Sequence, residues 1–225
     1  MNVVAAPEIR AIAFDLDGLM FDTEALAHRV ITEMMADKGK DFTPEIMAAM
    51  LGKQAHVSFP ALKRMAGLDE TPEELLEDVT ARFFAVLDTS VHPTAGLFAL
   101  LDAIGKRKLP ICLATSSRRE YAEGLLSRHG LLDRFAFTLC AEDVTESKPA
   151  PEIYRKAAAR HGVDPSNLLV LEDSPTGIAA AKAAGAYAVG IPHDHSPATG
   201  LGAADLLVDR LDDPAVLRLL GSPRG

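Results

Sequence analysis

Ile9-Arg10-Ala11-Ile12-Ala13-Phe14-Asp15-Leu16-Asp17-Gly18 begins as an apolar run and ends on two acids two residues apart. The run 9–14 has the length and composition of a strand buried on both faces, and it delivers the chain directly into Asp15. Five further apolar runs repeat the pattern, at 111–114, 135–140, 168–171, 186–191 and 206–208. Between them the apolar period changes to that of helices, over 96–107, 118–129, 151–161 and 175–184. The last is sharply punctuated, with Ser174 as N-cap, Pro175 at the first helical position and Gly185 just past the end. Strands alternating with helices predict an α/β fold with a doubly wound, parallel, Rossmann-like sheet.

One segment breaks the alternation. Residues 19–92 carry amphipathic helical patterns at 24–38, 44–51, 59–66 and 72–87 and no strand pattern. The expected organisation is therefore an α/β core from 1–18 and 93–225, interrupted by an all-helical insert over 19–92. Within that insert the stripe Leu26, Val30 and Met34 has helical spacing and is expected to be core.

Composition narrows the function classes. The chain has 225 residues, 48% hydrophobic and 24% charged, which suffices for a packed core without a structural metal or disulfide. A net charge of −9 and an aromatic content of 5% with no Trp argue against nucleic acid as a partner. A local pocket can still be positive on an acidic protein, so a small phosphorylated ligand is compatible. Cys112 and Cys140 lie in apolar stretches and are expected to be reduced core thiols. No membrane span or basic leader is visible, so the expected setting is cytoplasmic, with no membrane partner and nothing demanding more than a monomer.

In open α/β sheets, ligands sit beyond the carboxyl ends of the strands. The chemical residues of this chain cluster there. Asp15 and Asp17 follow the first strand, Thr115, Ser116 and Ser117 the second. Lys148 stands shortly after the third, and Glu172, Asp173 and Ser174 follow the fourth. Two like charges 4 Å apart repel by roughly 4 kcal/mol at an effective dielectric near 20, so such a rim needs a divalent cation, a shared proton or a lysine. Hard oxygen donors suit Mg²⁺ better than zinc. A phosphoryl group fits the remaining space, its oxygens meeting the cation, Lys148, the Thr115 hydroxyl and backbone N–H groups of the Asp15 turn. One carboxylate would attack phosphorus, and a neighbour would protonate the leaving oxygen.

Four motifs carry a family resemblance: Asp15-Leu16-Asp17-Gly18-Leu19, the Thr115-Ser116 region, Lys148-Pro149, and Leu171-Glu172-Asp173-Ser174-Pro175-Thr176-Gly177. In order and spacing they resemble the haloacid dehalogenase-like phosphatases, in the subgroup with a helical cap that includes beta-phosphoglucomutase. The resemblance implies that Asp15 is the nucleophile forming an aspartyl phosphate and that Asp17 is general acid and base. It implies that Thr115, with Ser116, binds the transferring phosphoryl group and that Lys148 neutralises charge on that group and on Asp15. It further implies a Mg²⁺ ion held by Asp15, the Asp17 backbone carbonyl and Asp173, with Glu172 as a ligand or behind one. The segment 19–92 would be the cap that closes over substrate.

Two departures narrow the activity. The mutases of this family carry a histidine early in the first cap helix, where this chain has Ala27, and an arginine after the cap glycine, where it reads Gly52-Lys53-Gln54-Ala55. Both favour hydrolysis of a small phosphorylated metabolite, sugar phosphates first, over sugar phosphomutase activity. Retention of Asp17 separates the chain from the dehalogenase branch.

Several residues have plainer readings. His193-Asp194-His195 resembles a metal fragment, but its spacing and lack of partners predict a solvated loop. Arg118 and Arg119 open a helix beside Thr115 and are expected to be exposed helix charges. Lys53, Gln54 and His56 lie in an insert segment where exposure is the simpler expectation. A phosphoacceptor switch that is never turned over is the rival outside enzyme chemistry. It fits poorly, because receiver domains place their acidic pair on the first strand and lack such an insert. A nucleotide kinase is excluded by the missing Gly-x-x-x-x-Gly-Lys-Ser/Thr loop.

Overall fold

The computed structural model describes residues 8–50, 55–193 and 198–221. Six strands form one sheet: β1 (Ala11–Phe14), β2 (Ile111–Ala114), β3 (Phe137–Leu139), β4 (Leu168–Glu172), β5 (Tyr187–Gly190) and β6 (Leu206–Leu207). Their order is β3-β2-β1-β4-β5-β6, and every neighbouring pair is parallel. The chain winds outward from β1 to β3, then returns to lay β4 on the other side of β1. The carboxyl ends of β1 and β4 thus flank the point where the winding reverses, which is where open α/β sheets form a crevice.

The strands are apolar because both faces are covered. β1, β2 and β4 are buried along their whole length. On one face, Ala11, Ala13, Cys112, Leu168 and Val170 pack with Ile153, Tyr154, Ala157 and Ala158 of α7 (Glu152–His161) and Ile178, Ala180 and Ala181 of α8 (Pro175–Ala184). Small residues on α8 allow close approach to the sheet. Its ends follow the sequence signals: Ser174 Oγ accepts from the Gly177 N–H, Pro175 opens the helix, and Gly185 closes it in the left-handed region. Helices α5 (Leu97–Arg107) and α6 (Arg119–Arg128) bury Leu97, Leu100, Leu101, Ile104, Ala122, Leu125 and Leu126. A short final helix, α9 (Pro214–Leu219), capped by Asp213, was not foreseen from the sequence.

The chain divides into two compact units, Asp22–His92 and the remainder, so that Leu19, Met20 and Phe21 group with the sheet. The smaller unit is helical: α1 (Thr23–Asp37), α2 (Pro44–Met50), α3 (Ala55–Ala66) and α4 (Pro72–Ser90). Leu26, Val30 and Met34 of α1 are buried, as their spacing predicts. Helix α4 begins with a reciprocal capping box between Thr71 and Glu74. Helix α3 begins four residues before the expected 59 and carries Pro60 inside it. Burial of Phe59, Ala61 and Leu62 on its inner face outweighs the local cost of the proline. Among the described residues no helix is long and apolar enough to cross a membrane.

Candidate active site

The backbone places the chemical residues by continuing the strand ladders. The Asp15 N–H donates to the Leu171 carbonyl, the Thr115 N–H to that of Leu139, and the Ile191 N–H to that of Glu172. Asp15, Thr115 and the pair Glu172-Asp173 are therefore held at the ends of adjacent strands, and all four are buried.

Lys148 binds this group together. Its Nζ donates to Asp15 Oδ1 at 2.5 Å, to Glu172 Oε1 at 2.6 Å and to the Ala114 carbonyl at 3.0 Å. An ammonium has three protons, and these three bonds use all of them. The ammonium also lies 5.0 Å from the centre of the Tyr154 ring, while the Tyr154 hydroxyl donates to Glu172 Oε1 at 2.8 Å. Burial alone would discourage the charge on Lys148, but the carboxylates of Asp15 and Glu172 outweigh it and raise the lysine well above its ordinary range. Burial also acts on Glu172, yet Lys148 and the surrounding donors hold that carboxyl below its usual value. Asp15 moves the other way. Its burial raises the carboxyl well above normal, Lys148 opposes the rise, and the nearby charges of Glu172 and Asp173 add to it.

The ammonium bonds two of the three buried carboxylates, Asp15 and Glu172, and Asp173 lies outside its bonds. One oxygen each from Asp15, Glu172 and Asp173 lie within 4.8 Å of one another, so a divalent cation with oxygen ligands fits both the charge and the donor set. The three carboxylates are not equally available. Glu172 Oε1 accepts from Lys148 and Tyr154, and Oε2 accepts from the N–H groups of Asp173 and Ser174 and from Ser174 Oγ. Five donors tie Glu172 into the turn, so Asp15 and Asp173 are the stronger candidate ligands.

Asp17 stands in different surroundings. It is half-buried, and its Oδ2 accepts from Ser117 Oγ at 2.6 Å while Oδ1 accepts from the Tyr121 hydroxyl at 2.7 Å. The Ser117 N–H in turn donates to Thr115 Oγ1 at 3.1 Å, so one turn orients both hydroxyls. Ser116, between them, is exposed. Gly18 follows with φ 80°, and a Cβ there would stand 2.2 Å from Asp173 Oδ2; only glycine lets the Asp15 turn approach Asp173 so closely.

Two expectations are corrected. His193 does not belong to a solvated loop: its Nε2 lies 2.8 Å from Asp173 Oδ2, because the chain leaving β5 turns back over the same rim. Asp194 and His195 lie outside the described residues. Arg119 is not a free helix charge either. It bonds Glu123 and Thr138 and pairs with Asp143, which locks the start of α6 onto the end of β3. Arg118 is exposed as expected. Lys53 and Gln54 lie outside the described residues, as does the side chain of His56. Ser117 was expected at the rim but without a role, and Tyr121 and Tyr154 were missed as site residues.

Comparison with known proteins gives the family. The family model described as haloacid dehalogenase-like hydrolase matches residues 12–191. The validoxylamine A 7'-phosphate phosphatase of Streptomyces hygroscopicus subsp. limoneus is 31% identical over 202 residues, covering 89% of this chain and 93% of its own length. The fructose-1-phosphate phosphatase of Escherichia coli K12 is 31% identical over 180 residues, covering 80% of this chain and 95% of its own. Among solved structures, a haloacid dehalogenase family hydrolase from Deinococcus radiodurans R1, with bound phosphate and sodium, superposes with a TM-score of 0.83 at 26% identity, covering 97% of this chain and all (100%) of that one.

Proposed function

Because the chain belongs to the haloacid dehalogenase-like hydrolases and is a phosphatase, we propose that it hydrolyses a small phosphorylated metabolite, a sugar phosphate foremost, through an aspartyl phosphate on Asp15 with Mg²⁺ as cofactor. The observation that carries this reading is the convergence of Asp15, Glu172 and Asp173 within 4.8 Å of one another, with the Lys148 ammonium bonded to the first two.

Asp15 and Asp173 would hold the cation, with the Asp17 carbonyl beside them and Glu172 fixing the turn behind. When bound, the cation supplies neutralisation of the carboxylates and of the incoming phosphoryl oxygens. An oxygen of Asp15 attacks phosphorus, the bond from phosphorus to the ester oxygen breaks, and the departing oxygen takes a proton from Asp17. Water then attacks the phosphorus of the acyl phosphate and gives its proton to Asp17. The bond to Asp15 breaks, and inorganic phosphate leaves. Thr115 and Ser116 would meet phosphoryl oxygens, while Lys148 restrains Asp15 and offsets its charge.

The helical unit Asp22–His92 is read as the cap that gives the subgroup its specificity. Ala27, in place of a mutase histidine, favours hydrolysis over transfer between two positions of one sugar. The Escherichia coli relative acts on a sugar phosphate, fructose 1-phosphate, by its name, and that supports sugar phosphates as the first class to try. The test is release of inorganic phosphate from a panel of phosphorylated metabolites, with Mg²⁺ and with chelator, and with Asp15→Asn as control. Metal-dependent release that disappears in the variant is expected. Sugar-phosphate isomers without free phosphate would favour the mutase, and a stable phosphoprotein without turnover would favour the switch.

A further inference from the structure

The two acids of the first motif differ in what holds them. Asp15 is bonded by a charged lysine, whereas both described hydrogen bonds to the Asp17 carboxylate come from neutral hydroxyls. Ser117 lies in the turn just before α6 and Tyr121 in its first turn, and both hydroxyls reach the same carboxylate. They reach Asp17 from 100 and 104 residues away in sequence, one to each oxygen. A carboxylate held at both oxygens cannot turn about its last bond without breaking a bond.

The Tyr121 phenol is suited to service as a donor. Its hydroxyl stands 2.7 Å from Asp17 Oδ1, and towards a carboxylate oxygen a phenol acts as the donor. Ser117 is fixed from its own side by the bond from its N–H to Thr115 Oγ1. The pair therefore connects the orientation of Asp17 to the turn that carries Thr115.

We infer that Tyr121, assisted by Ser117, is a positioning residue that fixes the Asp17 carboxyl group for proton transfer to the departing ester oxygen. The inference rests on the reading of Asp17 as acid and base given above. Positioning matters because proton transfer requires the donor within hydrogen-bond reach of the leaving atom, and misplacement by a fraction of a bond length lowers the rate.

The test exploits the leaving group. Phosphoenzyme formation is measured in single turnovers with two esters: the sugar phosphate hydrolysed fastest in the panel, and p-nitrophenyl phosphate. A sugar alkoxide must be protonated as it departs, whereas p-nitrophenolate leaves without a proton. Tyr121→Phe, which removes one oxygen and keeps the ring, is expected to slow the sugar ester roughly tenfold, the worth of one hydrogen bond, and to leave the aryl ester nearly unchanged. Ser117→Ala should show the same selectivity, and Ser117→Thr, which retains the hydroxyl, should recover much of the rate. Tyr121→Phe combined with Asp17→Asn should be no slower than Asp17→Asn alone.

Equal slowing of both esters, or losses that multiply in the double variant, overturns the inference and leaves the phosphatase reading standing. A wild-type protein that forms no phosphoenzyme from either ester overturns that reading and the inference with it. Should Tyr121→Phe fail to fold by circular dichroism, the Ser117→Ala and Ser117→Thr pair decides by the same comparison.

Discussion

A Cβ placed on Gly177 would stand 1.7 Å from Oε1 of Glu172. The start of α8 thus has no room for any side chain at that position, since Glu172 is wholly buried and tied by five donors. Gly177→Ala must push aside either the helix or the carboxylate, and the carboxylate is the partner of Lys148. We expect a loss of at least about 1–3 kcal/mol in urea unfolding, together with a sharp fall in phosphate release. A variant with unchanged unfolding midpoint would show that Glu172 has another place to go.

Asp15→Asn should separate stability from activity. The Asp15 carboxyl is raised by burial and by its acidic neighbours, so the folded state favours its neutral form. By linkage, that contribution is fully present below the unfolded pKa, about 3.9, and is lost as pH rises through the folded value. At neutral pH without metal the charge therefore weighs against folding. The amide removes it, and the metal-free variant should melt no lower than wild type and several degrees higher if the relief exceeds about 1 kcal/mol. Turnover should vanish. Calorimetry and a phosphate assay on the same preparations check both halves.

Addition of Mg²⁺ should stabilise the wild-type protein, because a cation that binds only the folded state adds about 2.7 kcal/mol at a hundred times its dissociation constant. Asp173→Asn should lose most of that increment. Melting curves with and without chelator give the answer without reference to catalysis. An undiminished Mg²⁺ response in Asp173→Asn would move the ion away from Asp173.

Both thiols should be inert in the native state. Cys112 and Cys140 are buried, and burial pushes the Cys140 thiol up to about 11 and Cys112 higher still. Because the thiolate is the reactive form, iodoacetamide at pH 8 should label neither residue until the protein is unfolded in urea. Mass spectrometry of peptides after brief native labelling would expose an error at either position.

Much of this molecule was legible in its sequence wherever the signal was local. The run 111–114 and the helix 175–184 have the same limits in the structure, since apolar length and Ser-Pro/Gly punctuation determine them within a few residues. Asp15, Thr115, Lys148, Glu172 and Asp173 were legible for a different reason. A parallel sheet carries every strand end to one rim, so residues that follow strands must meet there. Tyr121 and Tyr154 carried no such mark, and Ser117, though it follows β2, gave no sign of its partner. A serine or tyrosine beside a helix start is ordinary, and what gives these meaning is a carboxylate on another strand. His193 was misread because the turn of chain beyond β5 depends on packing and not on a local pattern. The start of α3 was misplaced because Pro60, which suits the first turn of a helix, lies further inside this one.

Phe21 and Pro93 form an antiparallel bridge, and the Thr94 N–H donates to the Met20 carbonyl. The chain therefore leaves the sheet unit and re-enters it through two adjacent stems. The α/β unit thus resembles a socket whose base is closed by its own stems. Lengthening, shortening or exchanging the intervening residues at that base is expected to leave the strand registers in place. A phosphoryl-handling rim could in this way be passed unchanged between lineages while the plugged-in unit diverged.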